Sequence, residues 1–267
     1  MLGSVRRRVQ SAALTGLDNM TGSHLQGLIT ALVKHRAKRL PPDDALRFVL
    51  GLEADLYPIE GRLSVAYDNG LHTKHRHMRY HDFFVERIAA GDRVLDIGCG
   101  PGKLAYEIAS RADAKVLAVD IMPHHIERAR RDFQHANISY EVADATAELP
   151  GEAFDVAVLS NVLEHLHERP TFLKRVVAAA RPKRLLIRVP LFERDWRVPL
   201  KKELGLEWRL DKDHKIEYTL DEVADELSQA DLAITHQEVH WGEIWLEAQR
   251  AVASPPDDIQ TDDVTKG

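Results

Sequence analysis

The chain has 267 residues, 44% of them apolar, with 36 Lys and Arg against 42 Asp and Glu and a formal net charge of -6. That length and apolar share suit one α/β domain plus an appendage, and the acidic balance argues against bulk electrostatic capture of nucleic acid, which needs a net basic face. The one cysteine, Cys99, excludes a disulfide framework and a Cys-ligated zinc site, and a cytoplasmic protein is expected.

The opening stretch MLGSVRRRVQSAALTGLDNM is basic but broken by Gln10, Ser11, Thr15 and Asp18, so it lacks the apolar run of a signal peptide. No window approaches the ~18 continuous apolar residues of a membrane span, and no membrane partner is expected. Leu25, Leu28, Ile29, Leu32 and Val33 recur at helical spacing in a helix that ends at Pro41-Pro42. A second helix starts at Pro42, with Asp43 and Asp44 suited to its first turn and Ala45, Val49, Leu52 and Leu56 on one face. Residues 1–88 therefore read as a helical extension that ends in a lid segment.

That segment, LHTKHRHMRYHDFF, holds His72, His75, His77 and His81. Their spacing is not that of a zinc motif, and on a helix from about Tyr80 only His77 and His81 share a face, so no metal is expected there. Lys74, His75, Arg76 and Tyr80 are candidates to meet a carboxylate or an anionic acceptor through charge-assisted hydrogen bonds.

From Asp92 short apolar runs bounded by turn residues alternate with helical stretches, the pattern of βαβ units around a parallel sheet. The expected strands are RVLDI, KVLAVD, ISYEV, FDVAVLS and RLLIRVP, followed by LAITHQEV and GEIWLEA. Ile126, Ala129 and Phe133, then Leu173, Val176, Val177 and Ala180, mark helices between strands. Thr219 and Glu222 form a capping box ahead of a further helix. The domain is expected over 89–252, and the polar, acidic tail 253–267 is expected to be disordered.

VLDIGCGPGKLAYEIA is an apolar strand ending in Asp96, a loop with Gly98, Gly100 and Gly102, and a helix. Glycines there allow a tight turn and close approach of a ligand to the backbone. A dinucleotide fingerprint wants Gly or Ala at the position of Lys103, which demotes a nicotinamide or flavin enzyme. Cys99 reads as a small packed residue, since no activating base accompanies it.

The spacing Asp-x-Gly-x-Gly-x-Gly resembles the first motif of class I S-adenosylmethionine-dependent methyltransferases, and the resemblance extends over roughly residues 91–190. It implies a Rossmann-like fold, mostly parallel sheet with helices on both faces, and S-adenosyl-L-methionine as cofactor. Asp96, Gly98 and Gly100 would lie along its methionine part, Gly102 would open the helix, and Asp120 would accept hydrogen bonds from the ribose hydroxyls. Asp144 would stand near the adenine amine, with Ile121 and Ala145 beside the ring and Asn161 at the edge shared with the acceptor.

The stretch NVLEHLHERP is similar to the Glu-x-x-Glu-His segment of ubiquinone-pathway and small-RNA 2′-O-methyltransferases, with Glu164 and His165 matching and Asn161 where the first Glu would be. His214 is a further nitrogen donor, so Glu164, His165 and His214 form a reasonable set for a metal that lowers a hydroxyl's pKa. With the first carboxylate missing, the expectation is a site without metal, in which Glu164 and Asn161 orient the acceptor and His165 is the base. Trp196, Trp208 and Tyr218 are expected as an acceptor wall. The implied function is O-methylation of a sugar, glycan-linked or other small-molecule hydroxyl; the alternatives are an RNA methyltransferase and a non-catalytic S-adenosylmethionine-binding protein.

Overall fold

The computed structural model describes residues 17–70 and 72–251; the N-terminal stretch to residue 16 and the expected disordered tail lie outside the described residues. Two compact units are present: the described residues up to Thr73 with Pro199–Trp208, and Lys74–Val198 with the described residues from Arg209 onward.

The first unit is built on a helical hairpin, α1 (Gly22–Ala37) and α2 (Pro42–Tyr67). Thr21 caps α1 by accepting a hydrogen bond from the His24 amide at 3.3 Å. Lys34, His35 and Arg36 sit in its last turn, where cations suit the dipole. Pro42 opens α2 with Asp43 and Asp44 in the first turn, as the sequence predicts.

In the second unit α3 (Thr73–Met78) and α4 (Tyr80–Val85) are separated by Arg79, whose φ of 46° breaks the helix. His77 and His81 thus lie on different helices and do not share the single face expected of them. Phe83 and Phe84 of α4 are buried against the sheet.

The sheet comprises β1 (Arg93–Ile97), β2 (Lys115–Asp120), β3 (Ile138–Val142), β4 (Val156–Ser160), β5 (Arg184–Pro190), β6 (Leu232–His240) and β7 (Glu243–Arg250), in the order β3-β2-β1-β4-β5-β7-β6. The first five strands run parallel, and β7 pairs antiparallel with β5 and with β6. Helices α5 (Lys103–Ala112), α6 (Pro123–Asp132), α7 (Arg169–Ala180) and α9 (Leu220–Gln229) connect them, and α8 (Arg197–Glu203) follows β5. The capping box at α9 forms as expected: the Thr219 hydroxyl accepts from the Glu222 amide and the Glu222 carboxylate from the Thr219 amide.

Strand side chains alternate between the two faces. Leu95, Leu159 and Ile187 point to one face, under Leu173 of α7 and Val223 of α9. Val94, Val158 and Leu186 point to the other, under Ile108 of α5, Ile126 of α6 and Phe84 of α4. Each such fully buried side chain contributes roughly 1.5–3 kcal/mol relative to exposure. Burial on both faces explains why these strands read as near-continuous apolar runs. This is the doubly wound architecture expected from the sequence. Its strand order reverses between β1 and β4, and ligands of such sheets bind in the crevice outside the carboxyl ends there.

Candidate active site

The glycine loop leaves β1 at this crevice. Gly98 has φ 72°, and a Cβ there would lie 2.7 Å from Val162 Cγ2, so the loops after β1 and β4 meet only because Gly98 has no side chain. Gly102, at φ 86°, is the N-cap of α5; a Cβ would come within 2.6 Å of the Ala129 Cβ. These two glycines close the packing, whereas the Cβ direction of Gly100 is open. The Gly100 amide donates to Asp120 Oδ2 at 2.8 Å.

Asp120, at the end of β2, holds the loop opposite. Its Oδ1 accepts from the Met122 amide at 2.8 Å and lies 3.1 Å from His125 Nδ1. Asp96 is buried behind the same loop, and its Oδ2 has no hydrogen-bond partner. Burial, then the charge of Asp120, pushes the Asp96 carboxyl up to about 7. Cys99 is packed there, its thiol pushed up chiefly by burial, which makes it a poor nucleophile as expected. Beyond β2 and β3, Ile121 is exposed, Ala145 packs against the core, and Asp144 Oδ1 accepts from the amide and hydroxyl of Thr146.

Across the crevice β4 runs out into Ser160 and Asn161. Asn161 adopts φ 57° and is held by Arg188 of β5: the Asn161 amide donates to the Arg188 carbonyl at 2.9 Å, and Arg188 Nε donates to Asn161 Oδ1 at 3.0 Å. The Arg188 guanidinium is buried, lies 3.2 Å from Glu243 Oε2, and stacks 3.8 Å from the centre of the Tyr80 ring. Its Nη1 has no partner. Arg188 and Glu243 were not among the expected site residues, although a lone Arg inside the apolar run LLIRVP is the signal that marks a buried charge.

Glu164 and His165 lie on a single 3-10 turn, Leu163–His165. Glu164 is fully buried with both carboxylate oxygens lacking a hydrogen-bond partner, and burial raises its carboxyl to about 7 against the opposing pull of its own backbone amide, His214 and Arg188. The Lys215 amide donates to the Glu164 carbonyl at 2.6 Å, which pins the segment after β5 to this turn and brings His214 in. One ligand atom each from Glu164, His165 and His214 lies within 4.8 Å of the others, and the two imidazoles meet edge to face with centres 4.8 Å apart. His214 Nδ1 lies 3.0 Å from Glu217 Oε1, also buried. Such a carboxylate fixes the tautomer with the proton on Nδ1 and leaves Nε2 as a lone-pair donor. Burial, then His214, lowers the pKa of His165 and keeps it neutral near pH 7.

The expected aromatic wall does not form as a unit. Tyr218 is fully buried and donates its hydroxyl to Glu226 at 2.8 Å, so it belongs to the core; Trp196 is exposed, and Lys202 lies over the Trp208 ring. His75, Tyr80 and His81 cluster by their rings, while His81 Nδ1 lies 3.3 Å from Glu107.

Residues 94–183 match the model of a methyltransferase domain. A ubiquinone biosynthesis O-methyltransferase of Bradyrhizobium diazoefficiens is 38% identical over 109 residues, covering 40% of this chain and 42% of that protein. One of Methylocella silvestris is 36% identical over 132 residues, covering 48% and 51%. The chain thus spans about half the length of these curated relatives. Magnesium protoporphyrin IX methyltransferase from Synechocystis PCC 6803, solved with bound SAH, shares the fold at a TM-score of 0.54 and 19% identity, over 66% of this chain and 84% of that one. Domain match and doubly wound sheet agree with the motif spacing, and the chain belongs to the class I S-adenosylmethionine-dependent methyltransferases.

Proposed function

We propose that the chain transfers the methyl group of S-adenosylmethionine to a hydroxyl of a small or glycan-linked acceptor in the cytoplasm. The observation that carries this reading is the buried, partnerless Glu164 carboxyl gathered with two imidazoles just beyond β4. An unpaired buried carboxyl costs stability, and its retention is accounted for by a ligand that it meets during function.

The cofactor, when bound, supplies a sulfonium methyl that is displaced in line. The residues toward it fit. The orphaned Asp96 oxygen is a counter-charge for an ammonium behind the glycine loop. Asp120 uses one lone pair of each oxygen on loop amides and keeps others for ribose hydroxyls, since an ionised carboxylate offers about four acceptor sites. Ile121 and Ala145 offer apolar contact to the adenine, with Asp144 at its amine.

On the acceptor side the donor set fits a divalent cation, and we carry that reading forward in place of the metal-free one. Glu164, His165 and His214 would hold it, and it would lower the pKa of a bound hydroxyl. Glu217 would orient His214 through Nδ1. In a site without the cation His165 is the proton acceptor, its lowered pKa leaving a lone pair free at neutral pH. Asn161, locked by Arg188, borders both halves of the crevice.

The similar donor arrangement of small-RNA 2′-O-methyltransferases gives a second reading, an RNA hydroxyl, against which the net charge of -6 stands. The test is transfer of labelled methyl groups from S-adenosylmethionine to a bacterial extract separated into small-molecule, glycolipid and RNA fractions, with and without a chelator. Label in the first two fractions supports the proposal, and label in RNA promotes the second reading. Label unaffected by the chelator returns the site to His165 alone, and no label in any fraction contradicts an active enzyme.

A further inference from the structure

Ala45, Val49, Leu52, Leu56, Ile59 and Leu63 of α2 follow one another at intervals of four and three residues, a strict heptad seam sustained over nearly three repeats. That seam faces outward. Val49, Leu56, Ile59 and Leu63 are all exposed, Leu63 to 64%, and Tyr67 at its end to 79%. On α1, Leu28, Ile29 and Leu32 are exposed in the same way. Leu50 is the one fully buried residue of the two helices, so the hairpin has no core of its own.

The geometry points to a second copy of this chain as the occupant: two α1–α2 hairpins face each other through these stripes and close a four-helix bundle. Three observations favour that partner. Helices α1 and α2 are joined by only the four residues between Ala37 and Pro42, which makes them antiparallel neighbours as in up-down bundles. On each helix the better-covered residues, Val33 and Ala37 on α1 and Leu50 on α2, lie roughly 100° ahead of the exposed stripe in the sense of chain advance. In an antiparallel pair that puts both stripes on the same side of the hairpin. The exposed apolar area of the two stripes is on the order of 800 Å² per copy, what each partner contributes to a standard stable interface.

Charge separates this partner from a lipid surface. The α2 seam is flanked by Glu53, Asp55 and Glu60, with Arg62 as the cation, whereas helices that lie on anionic membranes carry Lys and Arg beside the apolar face. In an antiparallel seam centred near Tyr57, Asp55 of each copy comes opposite Arg62 of the other, twice by symmetry. Pro58 sits on the face away from the seam, so a bend there is concave toward the partner.

The test is sedimentation velocity of the full chain at micromolar concentrations, with flotation on vesicles of anionic and neutral phospholipid alongside. The expected species is twice the 30.2 kDa of one chain, without flotation. Leu56→Glu with Leu63→Glu is expected to shift it to the monomer with unchanged circular dichroism, while Ala54→Glu, on the outer face of α2, leaves the dimer in place. Leu63→Ala is the milder variant should the double substitution fail to fold, with at least a tenfold weaker association expected. A wild-type monomer, a double variant that folds and stays dimeric, or wild-type chain carried up by vesicles as a monomer overturns the proposal.

Discussion

Glu164 and Asp96 are buried carboxyls that each leave oxygen without a donor, and both are raised to about 7 with burial as the leading cause. The folded state therefore holds a proton on Glu164 across a window where the unfolded chain, with an ordinary carboxyl near 4.5, has lost it. The penalty is absent below about pH 4.5 and complete above about pH 7, so stability from this group falls as pH rises through the window. Glu164→Gln removes the penalty: thermal unfolding should show it more stable than wild type at pH 8, by on the order of 2–3 kcal/mol, with the gain shrinking toward pH 5. The same variant should lose methyl transfer. A destabilised Glu164→Gln at pH 8 would mean that its carboxylate is paired in solution. His165→Ala should lower turnover by about 10²–10⁴ while calorimetric affinity for the cofactor stays within twofold; retained turnover would remove His165 from the proton-accepting role.

At the scale of elements, the strand ends set what touches what. Gly102 opens α5 against Ala129 of α6, and an added Cβ meets both the 2.6 Å contact and a φ of 86°. Gly102→Ala should cost about 2–4 kcal/mol in denaturant unfolding, from strain and overpacking together. A near-neutral variant would show that the loop relaxes. RVLDI, KVLAVD, ISYEV and RLLIRVP were legible as strands to the residue, because sheet burial on both faces prints a continuous apolar run and the next turn residues end it. The meeting of His214 with Glu164 was legible only as two donor types, since the Lys215 amide to Glu164 carbonyl bond that joins them spans about fifty residues and leaves no periodic mark. Tyr218 was misjudged for a related reason: an aromatic in a charged stretch looks like a surface platform until its hydroxyl is found on Glu226 inside the core. The helix through His77 and His81 failed at Arg79, where a left-handed residue other than glycine interrupts a sequence that otherwise propagates.

For the molecule as a whole, one switch point collects everything the chemistry needs. The loop after β1 carries the glycines, the ends of β2 and β3 carry Asp120 and Asp144, and the run-out of β4 carries Asn161, Glu164 and His165. Half of that set faces a cofactor and half an acceptor. No helix among the described residues is long and apolar enough to cross a membrane. The central claim is that the glycine loop and its carboxylates bind S-adenosylmethionine. It is tested most directly by isothermal titration of the full chain with S-adenosylmethionine at pH 8, in parallel with NADH and with the Asp120→Asn variant. The account predicts stoichiometric binding of S-adenosylmethionine, no binding of NADH, and affinity weakened in the variant by about 1.5–3 kcal/mol through lost charge-assisted hydrogen bonds. Heat from NADH and none from S-adenosylmethionine, or an Asp120→Asn chain that binds as tightly as wild type, would contradict it.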